Sequence, residues 1–133
     1  MFRKFSFLLL ILGVSGCSSL DTRSPGEQVL SRSQGRLDAL MARDIEKAYS
    51  YASPGYRSSH TTFQYDKKFG GAKTLWTAAR AVEANCDDLQ TPVERCRVLI
   101  EIDYTTRSLG YLETTTMFET WILAEGEWYL YLE

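Results

Sequence analysis

The residues that could carry out acid–base chemistry in this sequence lie in its second half. Glu119 is part of the segment MFETW and shares strand parity with Met117 and Trp121, which permits a buried carboxylic acid with a raised pKa. The other interpretation is an edge or outer-face carboxylate. Asp103 and Tyr104 are consecutive, so in a strand without a bulge they point to opposite faces and cannot line one pocket. The alternation around them predicts that Tyr104 is inside and Asp103 is solvated.

Histidine and metal chemistry have little support in the sequence. His60 is the only histidine and lies in the polar run RSSHTT ahead of a helix signal, so we expect it in a surface loop. The sequence contains no nucleophile elbow, P-loop or dinucleotide-binding fingerprint. Four ligands at zinc spacing are also absent, because His60 is the only soft ligand besides the cysteines. The sequence therefore predicts no catalytic residue, no metal site and no cofactor.

Aromatic residues make up 13% of the chain, and many fall in segments with strand character. One interpretation is a pocket for an apolar ligand such as a lipid fragment or quinone. Its candidate residues are Tyr104, Phe118, Glu119 and Trp121. The other interpretation is an ordinary core, because aromatic side chains suit sheets and bury a large area.

The last strand-like segment, EWYLYLE, offers a candidate interface. Tyr129 and Tyr131 have the opposite parity to Trp128, Leu130 and Leu132. If the second set faces the core, the two tyrosines face outward. We expect them to present a surface to a protein partner or to a second copy of the chain.

The size and charge of the chain set broad limits on its function. Its 133 residues are enough for one domain, and its formal net charge is −2. No basic face is indicated, so nucleic acid is not a predicted partner.

The N-terminal segment is typical of an export signal. Arg3 and Lys4 precede an apolar run over residues 7–14 that is interrupted only by Gly13. That run is too short to span a bilayer, which needs about 20 residues, but it fits the apolar region of a secretion signal. The alternative is a buried helix or strand at the start of the domain.

The segment Val14-Ser15-Gly16-Cys17 resembles the lipobox of bacterial lipoprotein signal peptides. The resemblance implies cleavage before Cys17, a diacylglyceryl group on its thiol and an acylated amino terminus. We therefore expect a signal peptide at 1–16, a lipidated tether at 17–24 and a single α+β domain at 25–133. The serine after the cysteine implies an outer-membrane location facing the periplasm, with the lipid bilayer as a partner.

Assigning Cys17 to lipid leaves Cys86 and Cys96 as a pair. Export would place them in an oxidising compartment, where disulfides form and persist. They flank the polar segment DDLQTPVER, which is typical of a hairpin loop. A disulfide is thus expected, and two reduced, buried cysteines are the alternative.

Capping signals predict three helices in the first half of the domain. Ser24 and Glu27 have the spacing of a capping box at the start of a long amphipathic helix. Asp44 is placed to cap a short second helix, IEKAYSYA, which is expected to end before Ser53-Pro54-Gly55. Thr61 and Gln64 form another capping-box spacing that opens TFQYDKKF.

The second half has the alternating pattern of antiparallel strands. RVLIEIDYT alternates apart from Leu99, and YLETTTMFETWIL and EWYLYLE follow it with a hairpin turn expected at Gly126. Residues 78–86 form a further candidate strand. Helices followed by an antiparallel meander predict an α+β fold.

The segment DIEKAYSYASPGYR after the first helix and the closing GEWYLYLE resemble the nuclear transport factor two-like superfamily. The resemblance implies a cone-shaped, cystatin-like α+β fold with N-terminal helices packed on a twisted antiparallel sheet. That superfamily includes ketosteroid isomerase, scytalone dehydratase, polyketide cyclases and non-catalytic binding domains. Its members often dimerise through the sheet.

These observations together favour an envelope lipoprotein with a non-enzymatic role. We expect a binding or scaffolding module for a small apolar ligand or another envelope protein, with a homodimer as a further option. The alternative is a small cone-pocket enzyme of isomerase or dehydratase type that uses Tyr104 and Glu119.

Overall fold

The computed structural model describes residues 21–70, 75–106, 108 and 110–133. The expected signal peptide at 1–16 and residues 17–20 of the expected tether, which include Cys17, lie outside the described residues. In the described part, four helices precede four strands. They are α1 (Pro25–Met41), α2 (Ile45–Ser50), α3 (Pro54–Ser59), α4 (Thr62–Phe69), β1 (Trp76–Cys86), β2 (Arg95–Thr105), β3 (Leu112–Ala124) and β4 (Glu127–Leu130).

Helix α1 begins at the predicted capping box. The Ser24 side chain accepts a hydrogen bond from the Glu27 N–H, and the Glu27 carboxylate accepts one from the Ser24 N–H at 2.8 Å. Pro25 occupies the first turn, where a missing N–H costs nothing. The buried face of the helix consists of Val29, Ser33, Arg36, Leu37, Ala39 and Leu40. Two of these residues, Ser33 and Arg36, are polar, so this face can also form buried hydrogen bonds.

One helix was not expected. The sequence predicts that the second helix ends before Ser53-Pro54-Gly55. In the structure, Pro54 is the first residue of a further helix, α3, and the Ser53 side chain caps α3. Proline at the first helical position is favourable, so the same residues that end one helix also start the next. The capping box predicted for α4 at Thr61 and Gln64 is present.

The strands form one antiparallel sheet in the order β1-β2-β3-β4. The fold is therefore α+β, as the sequence predicts. Cys86 lies directly opposite Cys96 across β1 and β2, and the two form a disulfide. The predicted pairing of these cysteines is confirmed. The turn between β3 and β4 contains Gly126 with φ +80°, which a residue without a side chain adopts most easily.

The main core lies between the helices and one face of the sheet, which we call the inner face. Its core joins residues of α1 to alternate residues of β2 and to β4, namely Val29, Leu37, Cys96, Val98, Ile100, Ile102, Trp121, Trp128 and Leu130. The segment between α2 and α3 pairs with β4, since the Leu130 N–H donates to the Tyr51 carbonyl at 2.8 Å. A second cluster lies among the helices around the buried Tyr65.

Over β2 and residues 112–118 of β3, the opposite, outer face of the sheet is not covered by a helix of the described chain. Residues 97 and 118 on this face are exposed, whereas their inner-face neighbours Val98 and Glu119 are buried. None of the helices in the described ranges has the length and apolar character needed to cross a bilayer.

Candidate functional site

The structure does not bring the four candidate pocket residues together. Glu119 and Trp121 point to the inner face, whereas Phe118 points to the outer face and is 61% exposed. Tyr104 lies opposite Glu113, six residues along β3 from Glu119, which is about 20 Å at 3.3 Å per residue. Phe118 lies on the opposite face from Glu119 and Trp121 because successive side chains of a strand alternate between faces. Tyr104 is distant from all three because the register pairs it with Glu113.

Tyr104 takes part in a local surface contact. Its hydroxyl donates a hydrogen bond to a Glu113 carboxylate oxygen at 2.8 Å. This bond raises the pKa of Tyr104, because the neighbouring carboxylate favours the protonated phenol. The contact joins β2 to β3 near one end of the sheet.

Glu119 is buried, and both of its oxygens are engaged. Oε1 lies 2.5 Å from Arg36 Nη1, and Oε2 accepts hydrogen bonds from Ser33 Oγ at 2.8 Å and from Trp121 Nε1 at 2.9 Å. The Arg36 and Glu119 side chains are only 4% and 7% exposed. The sequence suggested a buried acid here but did not identify its partners.

The buried cluster extends to a third element through Tyr65. Arg36 Nε donates to the Tyr65 hydroxyl oxygen at 2.8 Å. Burial is the main cause that raises the pKa of Tyr65 above its ordinary value. The cluster joins α1, α4 and β3, and neither Arg36 nor Glu119 lines the depressions described below.

Ser33 and Arg36 were missed by sequence reasoning, although a signal was present. Both fall on the apolar stripe of α1, between Val29 and Leu40. A charged residue on a helix stripe that faces a core needs a buried partner. The only long-range partner that the strand parity of the sequence offered was Glu119.

One depression lies on the outer face of the sheet and has a volume of about 510 Å³. Among its lining residues, the Arg97 guanidinium carbon lies 4.3 Å from the centroid of the Phe118 ring. Leu99 lies directly opposite Phe118 across β2 and β3. The full lining is Glu83, Asn85, Cys86, Asp87, Arg95, Cys96, Arg97, Leu99 and Phe118.

Leu99 provided the sequence signal for this surface. It is the one apolar residue that interrupts the polar positions of RVLIEIDYT. In the folded sheet it combines with Phe118, whose parity in β3 also places it outside. The two form an apolar surface that neither strand pattern reveals alone.

Another part of the outer face carries an ion network. Arg80 contacts Glu101 at 2.9 Å and Asp103 at 2.8 Å, and the Thr114 hydroxyl donates to Asp103 at 2.6 Å. The hydrogen bonds from Arg80 and Thr114 lower the pKa of Asp103. The outer face therefore has an ion-paired half beside the half that contains Phe118.

His60 borders a second depression of about 380 Å³. Its ring stacks on Tyr56 with centroids 4.1 Å apart, and Ser59 Oγ lies 2.9 Å from its Nδ1. In the described chain, no carboxylate forms a hydrogen bond with His60. The Ser59–His60 pair thus lacks the acid that would complete a catalytic triad.

The two tyrosines of the candidate interface have different environments. Tyr129, expected on the surface, is 9% exposed and lies between Arg32 and Arg57, with each guanidinium 5.6 Å from its ring centroid. Alternation fails here because arginine side chains cover the face of β4 that points away from the core. Tyr131 is 41% exposed and borders the His60 depression.

Among the described residues there is no group of three or more His, Cys, Asp or Glu side chains placed to hold a metal ion. Cys86 and Cys96 are joined in the disulfide, so their sulfur atoms are not thiolate ligands.

Two solved structures are similar to this chain. The solution structure of a SEC-C motif containing protein from Rhodopseudomonas palustris has a TM-score of 0.56 and 16% identity, and the match covers 80% of this chain and 76% of that one. The crystal structure of a SEC-C motif containing protein from Psychrobacter arcticus has a TM-score of 0.58 and 13% identity, over 86% of this chain and 63% of that one. Such low identities concern the fold alone. No protein-family model and no curated protein matches the chain.

The prediction of a nuclear transport factor two-like domain is wrong. Both similar structures described above are SEC-C motif containing proteins. The order of helices followed by antiparallel strands is a general α+β arrangement, so the pattern that suggested the superfamily was not specific to it. The segment that resembles a lipobox lies outside the described residues and is not addressed by these comparisons.

Proposed function

We propose that this chain is a lipid-anchored envelope protein whose outer sheet face binds another envelope protein. The observation that supports the proposal is the stacked pair of Arg97 and Phe118 beside Leu99 on an uncovered face. Aromatic and arginine side chains are enriched at protein interfaces and often dominate their binding energy.

The shape of this surface favours a protein partner over a small apolar ligand. Small-molecule sites enclose most of the surface of the ligand, whereas the depression here is an open part of a sheet face. Its lining carries both charges, from Glu83, Asp87 and Arg95 among others, together with the apolar side chains of Leu99 and Phe118. Protein–protein interfaces usually combine apolar and charged side chains in this way.

The enzymatic alternative has less support from the geometry. Tyr104 and Glu119 lie about 20 Å apart along the sheet, and the Glu119 carboxylate has no oxygen free for a substrate.

The anchor in this proposal is Cys17. With a diacylglyceryl group on its thiol and an acylated amino terminus, it would hold the chain firmly in a bilayer, because stable attachment needs more than one acyl chain. A tether over residues 17–24 spans at most about 25 Å, so the domain would remain near the membrane. The proposed location is the periplasmic side of the outer membrane.

Two exposed phenylalanines allow a matched test of the binding surface. Phe118 on the outer face is 61% exposed, and Phe63 on α4 is 66% exposed. A photoreactive phenylalanine analogue is placed at either position in the full chain, and cells are irradiated before their envelopes are isolated. The proposal predicts a crosslinked protein of another identity from position 118, none from position 63, and loss of the product with Arg97→Glu.

Equal crosslinking from positions 63 and 118, or a product that Arg97→Glu leaves unchanged, would reject the outer face as the binding site. Crosslinking of position 118 only to a second copy of this chain would also reject a separate envelope partner.

The anchor is tested independently by Cys17→Ser. The proposal predicts that the wild-type chain fractionates with membranes and has the mass of an acylated chain cut before Cys17. The variant should retain its signal peptide and lack the lipid mass. An unmodified wild-type cysteine, measured by mass spectrometry, would contradict the anchor without affecting the binding-surface proposal.

A further inference from the structure

Strand β3 has a long free edge. Strand β4 pairs only with positions 121–124 of β3, and the Tyr131 N–H extends the contact to the Thr120 carbonyl at 2.8 Å. Odd-numbered residues of β3 direct their peptide groups toward β2, as shown by the Leu123 N–H donating to the Glu94 carbonyl. Even-numbered residues therefore direct theirs to the other side.

The free edge consists of the N–H and carbonyl groups of Leu112, Thr114, Thr116 and Phe118. In the described part of the chain, these groups have no hydrogen-bond partner. The side chains along the segment are exposed on both faces of the sheet. Such an edge is a template for another strand unless the protein protects it.

The opposite edge of the sheet is protected. Strand β1 is interrupted by irregularities between Trp76 and Ala78 and between Ala81 and Glu83. The Gln34 side chain of α1 also accepts a hydrogen bond from the Ala81 N–H at 2.9 Å. Bulges and covering groups are the usual means of blocking edge pairing.

The β3 edge has none of these features. Its register with β2 is unbroken from residue 112 to residue 122, and its sequence LETTTMF contains no proline and no lysine. Threonine has a high strand propensity, so the three consecutive threonines favour an extended edge. Glu113 is the only charged residue of the segment, and it accepts the hydrogen bond of Tyr104 within its own chain.

We propose that two copies of this chain pair antiparallel along their β3 edges, with the two-fold axis at Thr115. Only even-numbered residues offer edge hydrogen bonds, so each must lie opposite an even-numbered residue of the second copy. Centred on Thr115, Thr114 pairs with Thr116, Leu112 pairs with Phe118, and Glu113 faces Met117. Apolar side chains meet apolar ones on the outer face, and no like charges are opposed.

Neighbouring registers fit less well. Centring on Thr116 would place Glu113 opposite Glu119 of the second copy, and like charges opposite each other are unfavourable. Centring on Thr114 would place Phe118 opposite Gly110, which offers no side chain to contact. A self-complementary strand is what an isologous two-fold interface requires, which favours a second copy over an unrelated strand.

The dimer would have one continuous sheet of eight strands with both outer faces on the same side. This arrangement is argued from the backbone edge of β3 and does not use Arg97 or Leu99. Phe118 is the one side chain that it shares with the proposed binding surface.

The first test compares two replacements at one position in the full chain, purified from membranes in detergent. Thr116→Pro removes an N–H that faces the free edge, whereas Thr116→Ala keeps it, and proline is tolerated in strands mainly at such edges. We expect dimers for the wild type and Thr116→Ala in sedimentation equilibrium. Thr116→Pro should raise the dimer dissociation constant roughly a hundredfold, because two symmetric hydrogen bonds are lost.

The second test remains informative if Thr116→Pro does not fold. Residues at position 115 of the two copies would form a non-hydrogen-bonded pair with Cα atoms about 4.5 Å apart, within the range of a disulfide. Thr115→Cys should therefore form a covalent dimer on mild oxidation on the order of tenfold faster than Thr114→Cys. The wild-type chain controls for any crosslink through Cys17.

A wild-type chain that is monomeric at every concentration would overturn the proposal. So would a dimer equally stable with Thr116→Pro, equal rates of crosslinking at positions 114 and 115, or a different protein bound stoichiometrically at the β3 edge.

Discussion

At the scale of single residues, the buried ion pair of Arg36 and Glu119 is the clearest source of fold specificity. It connects α1 to β3, and Tyr65 extends it to α4. Removing one partner of a buried pair leaves a buried charge without compensation. The carboxylate that sequence parity suggested as a reactive acid is therefore better explained as the counter-ion of Arg36.

Glu119→Gln should lower the free energy of unfolding by about 3–5 kcal/mol, because Arg36 stays charged in a buried site. Urea denaturation of the full chain measures the change. Glu101→Gln removes a partner of Arg80 in an exposed ion pair and should leave the midpoint nearly unchanged. The double variant Arg36→Met/Glu119→Leu should regain part of the lost stability. Equal effects of the two single glutamate replacements would contradict a special role for the buried pair.

Tyr65 gives the buried cluster a pH dependence at high pH. Its pKa is raised in the folded state by burial, so above about pH 10 the unfolded chain loses this proton first. The stabilisation is complete below pH 10 and decreases as pH rises through the folded-state pKa. Tyr65→Phe should make the decline in unfolding free energy shallower by up to about 1.4 kcal/mol per pH unit.

Denaturation at a series of pH values from 8 to 11 measures this slope. Tyr111→Phe changes an exposed ring and serves as the control. A Tyr65→Phe variant with the wild-type slope would exclude Tyr65 as a source of the pH dependence.

At the scale of elements, local signals located most helices and strands. Capping boxes at Ser24 and Thr61 placed the starts of α1 and α4, and alternation placed β2 and β4. Helix α3 was missed because Ser53-Pro54-Gly55 is compatible both with a helix end and with a helix start. What decides between them is the pairing of this segment with β4, which is a long-range contact.

The disulfide holds the β1–β2 hairpin at its loop end. Cys86 and Cys96 are separated by 10 positions, and closing a loop of this size stabilises a fold by about 3 kcal/mol. Replacing both cysteines by serine should lower the free energy of unfolding by about that amount, measured in urea. The wild-type chain under reducing conditions should show a similar loss. Unchanged stability in both cases would show that the hairpin is held by its strands alone.

Gln34 protects the β1 edge by bonding to it from α1. Its amide donates to the Ala79 carbonyl at 3.3 Å and its oxygen accepts from the Ala81 N–H. Gln34→Ala should lower stability by about 1–2 kcal/mol and accelerate hydrogen exchange at the Ala81 amide. Ser31→Ala, at an exposed position of the same helix, is the control. An unchanged exchange rate at Ala81 would mean that this edge is protected by other means.

At the scale of the whole molecule, the two proposed contacts would reinforce each other. A dimer through β3 would present two outer faces side by side, so a partner held at the membrane could engage both. Binding through two linked sites raises the apparent affinity without new contacts.

Thr116→Pro should therefore lower the amount of envelope partner that stays bound on washed membranes by on the order of tenfold or more. The partner here is the protein identified in the crosslinking experiment, and it is not crosslinked in this one. Arg97→Glu should remove retention even where the dimer is intact. The amount of partner that co-purifies with the full chain measures both effects. Retention unaffected by Thr116→Pro would mean that a single outer face is sufficient for binding.

The sequence by itself determined the α+β class, the helix caps and the alternation of β2, because these depend on residues close together in the chain. It also supplied the two cysteines that proved to be paired, although their pairing was inferred by assigning Cys17 to lipid. Only the tertiary structure decided which strand faces meet and which edge stays free. The pairing register of β2 with β3 places Leu99 opposite Phe118 and separates Tyr104 from Glu119. The packing of α1 on the sheet brings Arg36 into contact with Glu119. Register and packing depend on contacts between distant segments, which local patterns do not specify.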